Sequence, residues 1–94
     1  MPQSLAKVYV HLVFSTKTRE PIVPSELRPE LHAYMGGVLR EMDCIPVEIN
    51  TEPDHAHVLF ILARTKPLSD VVGHVKKGST NWLHQQRPNL AGFH

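Results

Sequence analysis

Two histidines, His55 and His57, lie one residue apart in the apolar run DHAHVLF at residues 54–60. In a β-strand, positions i and i+2 point to the same face, with Cα atoms roughly 7 Å apart. Two imidazoles so placed can bind a divalent cation that polarises a phosphoryl oxygen. Two half-exposed surface residues without a ligand would give the same pattern, which is the more common case. By donor type alone, imidazole favours zinc over magnesium.

Two basic segments could contact phosphate groups. Lys76 and Lys77 precede the small residues Gly78 and Ser79, and Thr16, Lys17 and Arg19 follow the first apolar run. Clusters of this kind neutralise the phosphates of nucleic acids. A solvated helix face and an ordinary polar loop are the alternative interpretations.

The elements that must position these residues follow from periodicity. Alternating or β-branched runs predict strands at residues 5–16, 45–52 and 55–63, and the Pro53-Asp54 pair predicts a tight turn between the last two. Apolar stripes at helical spacing predict one helix capped by Ser25 and a second over about residues 68–83, which Gly78 is expected to interrupt. The order βαββα, followed by the start of a further strand, predicts an α+β, ferredoxin-like (RRM-like) sandwich.

In a ferredoxin-like fold, both helices cover one face of the antiparallel sheet, and the first and third strands are neighbours. His11, on the first strand, shares its side with Tyr9, Val13 and Ser15. We therefore expect His11 to lie near His55 and His57 on the uncovered face.

Length and composition predict a single small domain over residues 1–94. Hydrophobic residues make up 41% of the chain. The formal net charge is only +1, so a basic surface can form only if the fold brings lysine and arginine side chains together. The single cysteine, Cys44, lies among apolar residues, which predicts a buried thiol. Because no apolar run is long enough to span a membrane and the N-terminus lacks a signal pattern, we expect a soluble, cytoplasmic protein.

Three stretches together resemble a known family. They are YVHLVFSTKTREPI, EPDHAHVLFIL and PLSDVVGHVKKGSTNWL. In order and spacing they are similar to the small single-tyrosine HUH transposases of bacterial insertion sequences and their REP-associated relatives. The family's HUH motif (His, hydrophobic, His) matches at His55, Ala56 and His57.

The resemblance implies a homodimeric domain that binds single-stranded or hairpin DNA. It implies that His55 and His57 hold Mg²⁺ or Mn²⁺ against the scissile phosphate, while a tyrosine attacks and forms a 5′-phosphotyrosine link that conserves the energy for rejoining. It also implies DNA contacts in the segments that contain His11, Thr16, Lys17, Arg19, Lys76 and Lys77.

The family's nucleophilic tyrosine and a glutamine four residues later lie on a C-terminal helix, which we expect beyond His94. Tyr9 and Tyr34 are the only tyrosines of this chain, and neither lies in such a helix. We therefore expect no catalytic nucleophile within these 94 residues. The alternatives are a catalytically inactive nucleic-acid-binding module and, less favoured, a metal-binding or structural ferredoxin-like dimer.

Overall fold

Three strands and two helices alternate as β-α-β-β-α in a computed structural model, which describes residues 7–16, 23–89 and 92–93. The elements are β1 (Tyr9–Ser15), α1 (Arg28–Glu41), β2 (Ile45–Glu52), β3 (His55–Ile61) and α2 (Leu68–Gln86). This arrangement confirms the ferredoxin-like α+β fold. The predicted strands and helices are all present, and β1 and β3 are shorter than predicted among the described residues.

The strands form one antiparallel sheet in the order β1-β3-β2, so that β3 is central. Its alternating sequence gives it two different sides. Ala56, Val58 and Phe60 are fully buried, whereas His55 and His57 are partly exposed. We call the first side the closed face, because the helices pack on it, and the second side the open face.

The two helices bury their apolar stripes against the closed face and against each other. The stripe of α1 comprises Leu31, Met35 and Leu39, and that of α2 comprises Val71, Val75 and Leu83. Successive members of each set are four or eight residues apart, and this spacing keeps them on one side of a helix. Burying these side chains is the main favourable term in folding.

Two local details differ from the sequence-based expectations, one at Ser25 and one at Gly78. Ser25 does not cap α1; it begins a single 3₁₀ turn, Ser25–Leu27, and α1 starts at Arg28 with a proline in its first turn. The proline fixes φ near the helical value, so a capping side chain is less needed. Gly78 does not interrupt α2; a Cβ at this position would lie 2.9 Å from Tyr34 Oη, so the glycine permits close packing of α1 and α2.

The outer edge of β1 is extended by the last described residues. Phe93 forms an antiparallel bridge with Thr16, and its ring packs edge-on against Phe14 with centroids 4.8 Å apart. Its backbone N–H also donates to Thr80 Oγ1 at 3.0 Å. Phe93 therefore lies where a fourth strand beside β1 would begin.

Cys44 is buried, as predicted, and its Sγ accepts a hydrogen bond from the backbone N–H of Ala63 at 3.3 Å. Within the described ranges, neither helix has the length and apolar character needed to cross a lipid bilayer.

Candidate functional site

The three histidines of the two neighbouring strands lie together on the open face. The ring centroids of His55 and His57 are 4.9 Å apart, and those of His11 and His57 are 5.6 Å apart. The register explains this geometry, because Val13 pairs with His57, and His11 lies one same-face position further along β1. The expected convergence is therefore confirmed, with His57 in the middle of the group.

His55 has a carboxylate partner from the turn that precedes it. Asp54 Oδ1 lies 2.7 Å from His55 Nδ1, and both side chains are about 28% exposed. A carboxylate accepts this hydrogen bond only from a protonated Nδ1, so the neutral ring keeps its lone pair on Nε2. Metal-binding histidines in proteins are commonly oriented in this way.

The second outer strand contributes polar and acidic groups beside the histidines. Across the sheet, Glu52 pairs with His55 and Asn50 pairs with His57. Asn50 Nδ2 donates to Glu48 Oε1 at 3.0 Å. A groove of about 410 Å³ here is lined by His11, Glu48, Asn50, Thr51, Glu52, His57 and Leu59. Polar and acidic side chains of β2 therefore border the histidines on the open face.

The donor set fits a divalent cation as a partial ligand set. His55 and His57 offer two imidazoles, and His55 is already oriented by a carboxylate. Over the described ranges, no group of three histidine, cysteine, aspartate or glutamate side chains is close enough to hold a metal ion alone. The two histidines would therefore supply only part of a coordination shell, and the remaining positions would be left to water or to an oxygen from DNA.

Two of the other candidate residues, Lys76 and Lys77, lie on α2, on the opposite side of the sheet from the histidines. Lys76 Nζ lies 5.9 Å from the ring centroid of Phe14, at the β1 side of the closed face, and Lys77 lines a groove between α1 and α2. Thr16 is 1% exposed, and its backbone N–H donates to the Asp54 carbonyl. Lys17 and Arg19 lie outside the described residues, so their predicted DNA contacts have no structural description.

Neither tyrosine is placed beside the histidine pair. Tyr34 lies in the helical layer, with its ring centroid 6.2 Å from that of Trp82. Tyr9 is on the open face, where it pairs with Ile61. The β1 residue that pairs with His57 is Val13, and Tyr9 lies four residues from Val13 along the strand. That separation corresponds to roughly 13 Å along a strand.

The open face changes character along its length. At the end opposite His55, Tyr9, Ile61 and Ile45 form one row across the three strands. Tyr9 is 59% exposed and Ile45 is 56% exposed. The open face therefore has an apolar end and a histidine-containing end.

Sequence reasoning had not selected Asp54 or the β2 residues that neighbour the histidines. The predicted Pro53-Asp54 turn could have identified these neighbours, because a tight hairpin turn fixes the register of the strands beside it. With that register, Glu52 and Asn50 must face His55 and His57.

The domain is thus an α+β sandwich with a histidine pair on the open face of its sheet. The chain belongs to the family described as transposase IS200-like, whose model matches residues 4–93. It is therefore a member of a family of DNA transposases, which are enzymes that cut and rejoin DNA.

The fold is also similar to that of a solved structure. A protein from Deinococcus radiodurans R1, described as a transposase, superimposes with a TM-score of 0.84 at 20% sequence identity, and the match covers 94% of this chain and 68% of that one. The search of curated proteins gave no match.

Proposed function

We propose that this domain binds single-stranded or hairpin DNA and presents a scissile phosphate to a divalent cation, Mg²⁺ or Mn²⁺, held by His55 and His57. The observation that carries the proposal is the adjacency of these two imidazoles on the open face of a transposase-family domain. When bound, such a cation polarises a phosphoryl oxygen and makes the phosphorus more susceptible to attack.

The residues of this chain would act by holding the cation and the DNA in position. The central strand β3 holds both imidazoles on a rigid element, and sites built on strands are more precise than sites on loops. His11, beside His57, is exposed and can donate a hydrogen bond to a phosphate oxygen of bound DNA. In this proposal His11 contacts the DNA, and His55 and His57 hold the metal.

The attacking tyrosine would come from a segment other than those described. Tyr9 is too far along β1 and Tyr34 is in the helical layer, so neither can reach a phosphate at His55 and His57. A tyrosine on a later helix would form the 5′-phosphotyrosine link, leaving a free 3′-hydroxyl for rejoining. A domain that binds DNA without cleaving it is the second candidate, and the same tyrosine positions favour it for residues 1–94 alone.

We also propose that the domain forms a homodimer through its sheet. The row of Tyr9, Ile61 and Ile45 leaves large apolar side chains on the surface, and exposed apolar patches commonly mark contacts between proteins. Within the described residues, β2 has one strand partner, so its outer edge is also open to pairing.

The metal proposal is tested by calorimetric titration with Mn²⁺. We expect weak binding by the 94-residue chain and no detectable binding by the His55→Ala/His57→Ala variant. His84→Ala, which removes an exposed histidine at the end of α2, is the matched control and should bind like the unmodified chain. Equal Mn²⁺ affinity in the double variant would show that the histidine pair is not the site.

The DNA chemistry is tested with labelled hairpin DNA and Mn²⁺. The 94-residue chain should bind the hairpin with an affinity that falls as salt rises, because phosphate contacts release counterions. It should give no denaturant-resistant band, whereas a chain extended by a family-type C-terminal segment with its tyrosine should give one. A covalent band from the short chain would overturn the assignment of the nucleophile. Absence of the band from the extended chain with a cognate hairpin would overturn the cleavage proposal.

A further inference from the structure

We propose that Asp54 is a positioning residue for the metal site: its carboxylate holds the His55 imidazole in the Nδ1–H form, so that Nε2 is the atom offered to the cation. This inference rests on the proposed metal-binding function of His55 and His57. It adds a residue that acts on the metal site through its hydrogen bond to His55.

The contact between the two side chains is short and partly shielded from water. Asp54 Oδ1 and His55 Nδ1 are 2.7 Å apart, at the short end for a charge-assisted hydrogen bond. Each side chain is about 28% exposed, so water competes less for this bond than it would at a fully exposed pair. The bond fixes both the ring orientation and the nitrogen that carries the proton.

The backbone around Asp54 is itself held in place from two directions. The Asp54 carbonyl accepts a hydrogen bond from the N–H of Thr16 at 2.8 Å, which links the turn to the end of β1. The carbonyl of the preceding Pro53 accepts from the N–H of Val23 at 3.3 Å. These bonds involve only the backbone of the turn, so substituting the Asp54 side chain leaves them in place.

His55 and His57 differ in whether a carboxylate is hydrogen-bonded to the ring. In the described part of the chain, the His57 ring contacts the His11 and His55 rings and has no carboxylate hydrogen-bonded to it. A substitution of Asp54 should therefore affect metal binding through His55 rather than through His57. This asymmetry separates a positioning role from a general electrostatic effect of a nearby negative charge.

Glu52 provides the matched control for charge. It pairs with His55 across β2 and β3, on the same row of the open face, but makes no hydrogen bond to a described histidine. Glu52→Gln removes one negative charge from the neighbourhood without touching the Asp54–His55 bond. A purely electrostatic role for Asp54 would make Glu52→Gln and Asp54→Asn similar in effect.

The first measurement needs no metal. Nitrogen-15 NMR of the metal-free chain, at least about one unit above the ordinary histidine pKa of ~6.5, reports the tautomer of each imidazole. We expect the Nδ1–H form at His55, and a shift toward the Nε2–H form, which predominates in free imidazole side chains, in Asp54→Ala. An Nε2–H form at His55 in the unmodified chain would overturn the inference.

The second measurement is Mn²⁺ titration of the same proteins. Loss of a residue that orients a metal-binding histidine typically lowers metal affinity by about 10–100-fold. We expect a loss in this range for Asp54→Ala and a smaller one for Asp54→Asn, which keeps an oxygen acceptor. Glu52→Gln should change the affinity by less than about threefold, as expected for a screened charge without a hydrogen bond.

A double variant tests whether Asp54 affects Mn²⁺ affinity through His55. If Asp54 acts through His55, Asp54→Asn should have no further effect on Mn²⁺ affinity in a His55→Ala background, provided that His57 alone retains measurable binding at high Mn²⁺. An unchanged affinity in both single Asp54 variants would overturn the role of Asp54 while leaving the proposed function intact. Failure of the unmodified chain to bind Mn²⁺ would overturn the proposed metal site itself.

Discussion

Alternate residues of β3 face two surfaces with different properties. On the closed face, Ala56, Val58 and Phe60 are completely buried under α1 and α2. On the open face, His55 and His57 are partly exposed and lie among polar and acidic neighbours from β2. One strand thus supplies both the centre of the hydrophobic core and the centre of the candidate site.

A domain of this size combines stability with function by using the two faces of one sheet differently. A chain of 94 residues has one small core, so residues that pack on the closed face are needed for folding. Residues of the open face contribute less buried area, so polar and metal-binding groups can occupy it at little cost in stability. Substitutions on the two faces should therefore differ in what they change.

The largest expected effect is on stability, from matched valine substitutions on opposite faces. Val58→Ala should lower the free energy of unfolding by about 2 kcal/mol, from ~0.8 kcal/mol for each methyl group removed plus the cavity left behind. Val13→Ala, at an open-face position that is 53% exposed, should lower it by no more than about 0.5 kcal/mol. Urea unfolding measures both. Equal effects of the two variants would contradict the division between the faces.

A smaller effect is expected at the apolar end of the open face, on self-association. Tyr9→Ser removes an exposed aromatic ring from both copies of a symmetric dimer and should raise the dimer dissociation constant on the order of tenfold, which is about 1.4 kcal/mol. Leu68→Ser removes an exposed apolar side chain at the start of α2 and serves as the control. Light scattering over a concentration series reports the outcome, and a monomer at high micromolar concentration would rule out the proposed dimer.

The smallest effect concerns a histidine of the helical layer. His32 Nε2 lies 2.8 Å from Thr51 Oγ1, joining α1 to β2. Burial, and secondarily the positive charge of Arg28, lower the pKa of His32 below its ordinary value of 6.5. As pH falls, the unfolded chain therefore takes up this proton before the folded chain does.

The stabilising effect of neutral His32 is consequently complete above about pH 6.5 and is lost as pH falls from there through the lower folded-state pKa. We expect His32→Gln to make the decrease of the unfolding free energy below pH 6.5 shallower. His84→Gln, at an exposed position on α2, is the control. A pH profile of stability that is identical in His32→Gln and the unmodified chain would disprove this contribution.

The sequence by itself determined the type and order of the elements. Period-two patterning defined the strands, the helical stripes defined α1 and α2, and their order indicated the ferredoxin-like arrangement. The same patterning placed His55 and His57 on the face away from Val58 and Phe60, because side chains alternate along a strand. The quoted motifs indicated the transposase family, which the comparison confirmed.

Local signals were less informative about element ends. Ser25 has the residue type of a helix cap, but α1 begins three residues later, where the proline already fixes the backbone. Gly78 has the residue type of a helix breaker, but α2 continues through it because the position is used for packing against Tyr34. In both cases neighbouring residues decided between structures that the single residue allows.

Only the tertiary structure decided which groups meet. The distance between the rings of His11 and His57 depends on the register of β1 against β3, and these residues are far apart along the chain. The Asp54–His55 contact depends on the rotamers of two adjacent residues in a turn that Thr16 fixes from another strand. Residue types and spacing specify which face a side chain occupies, but pairing register and side-chain rotamers arise from packing across the whole sheet, and these set the geometry of the site.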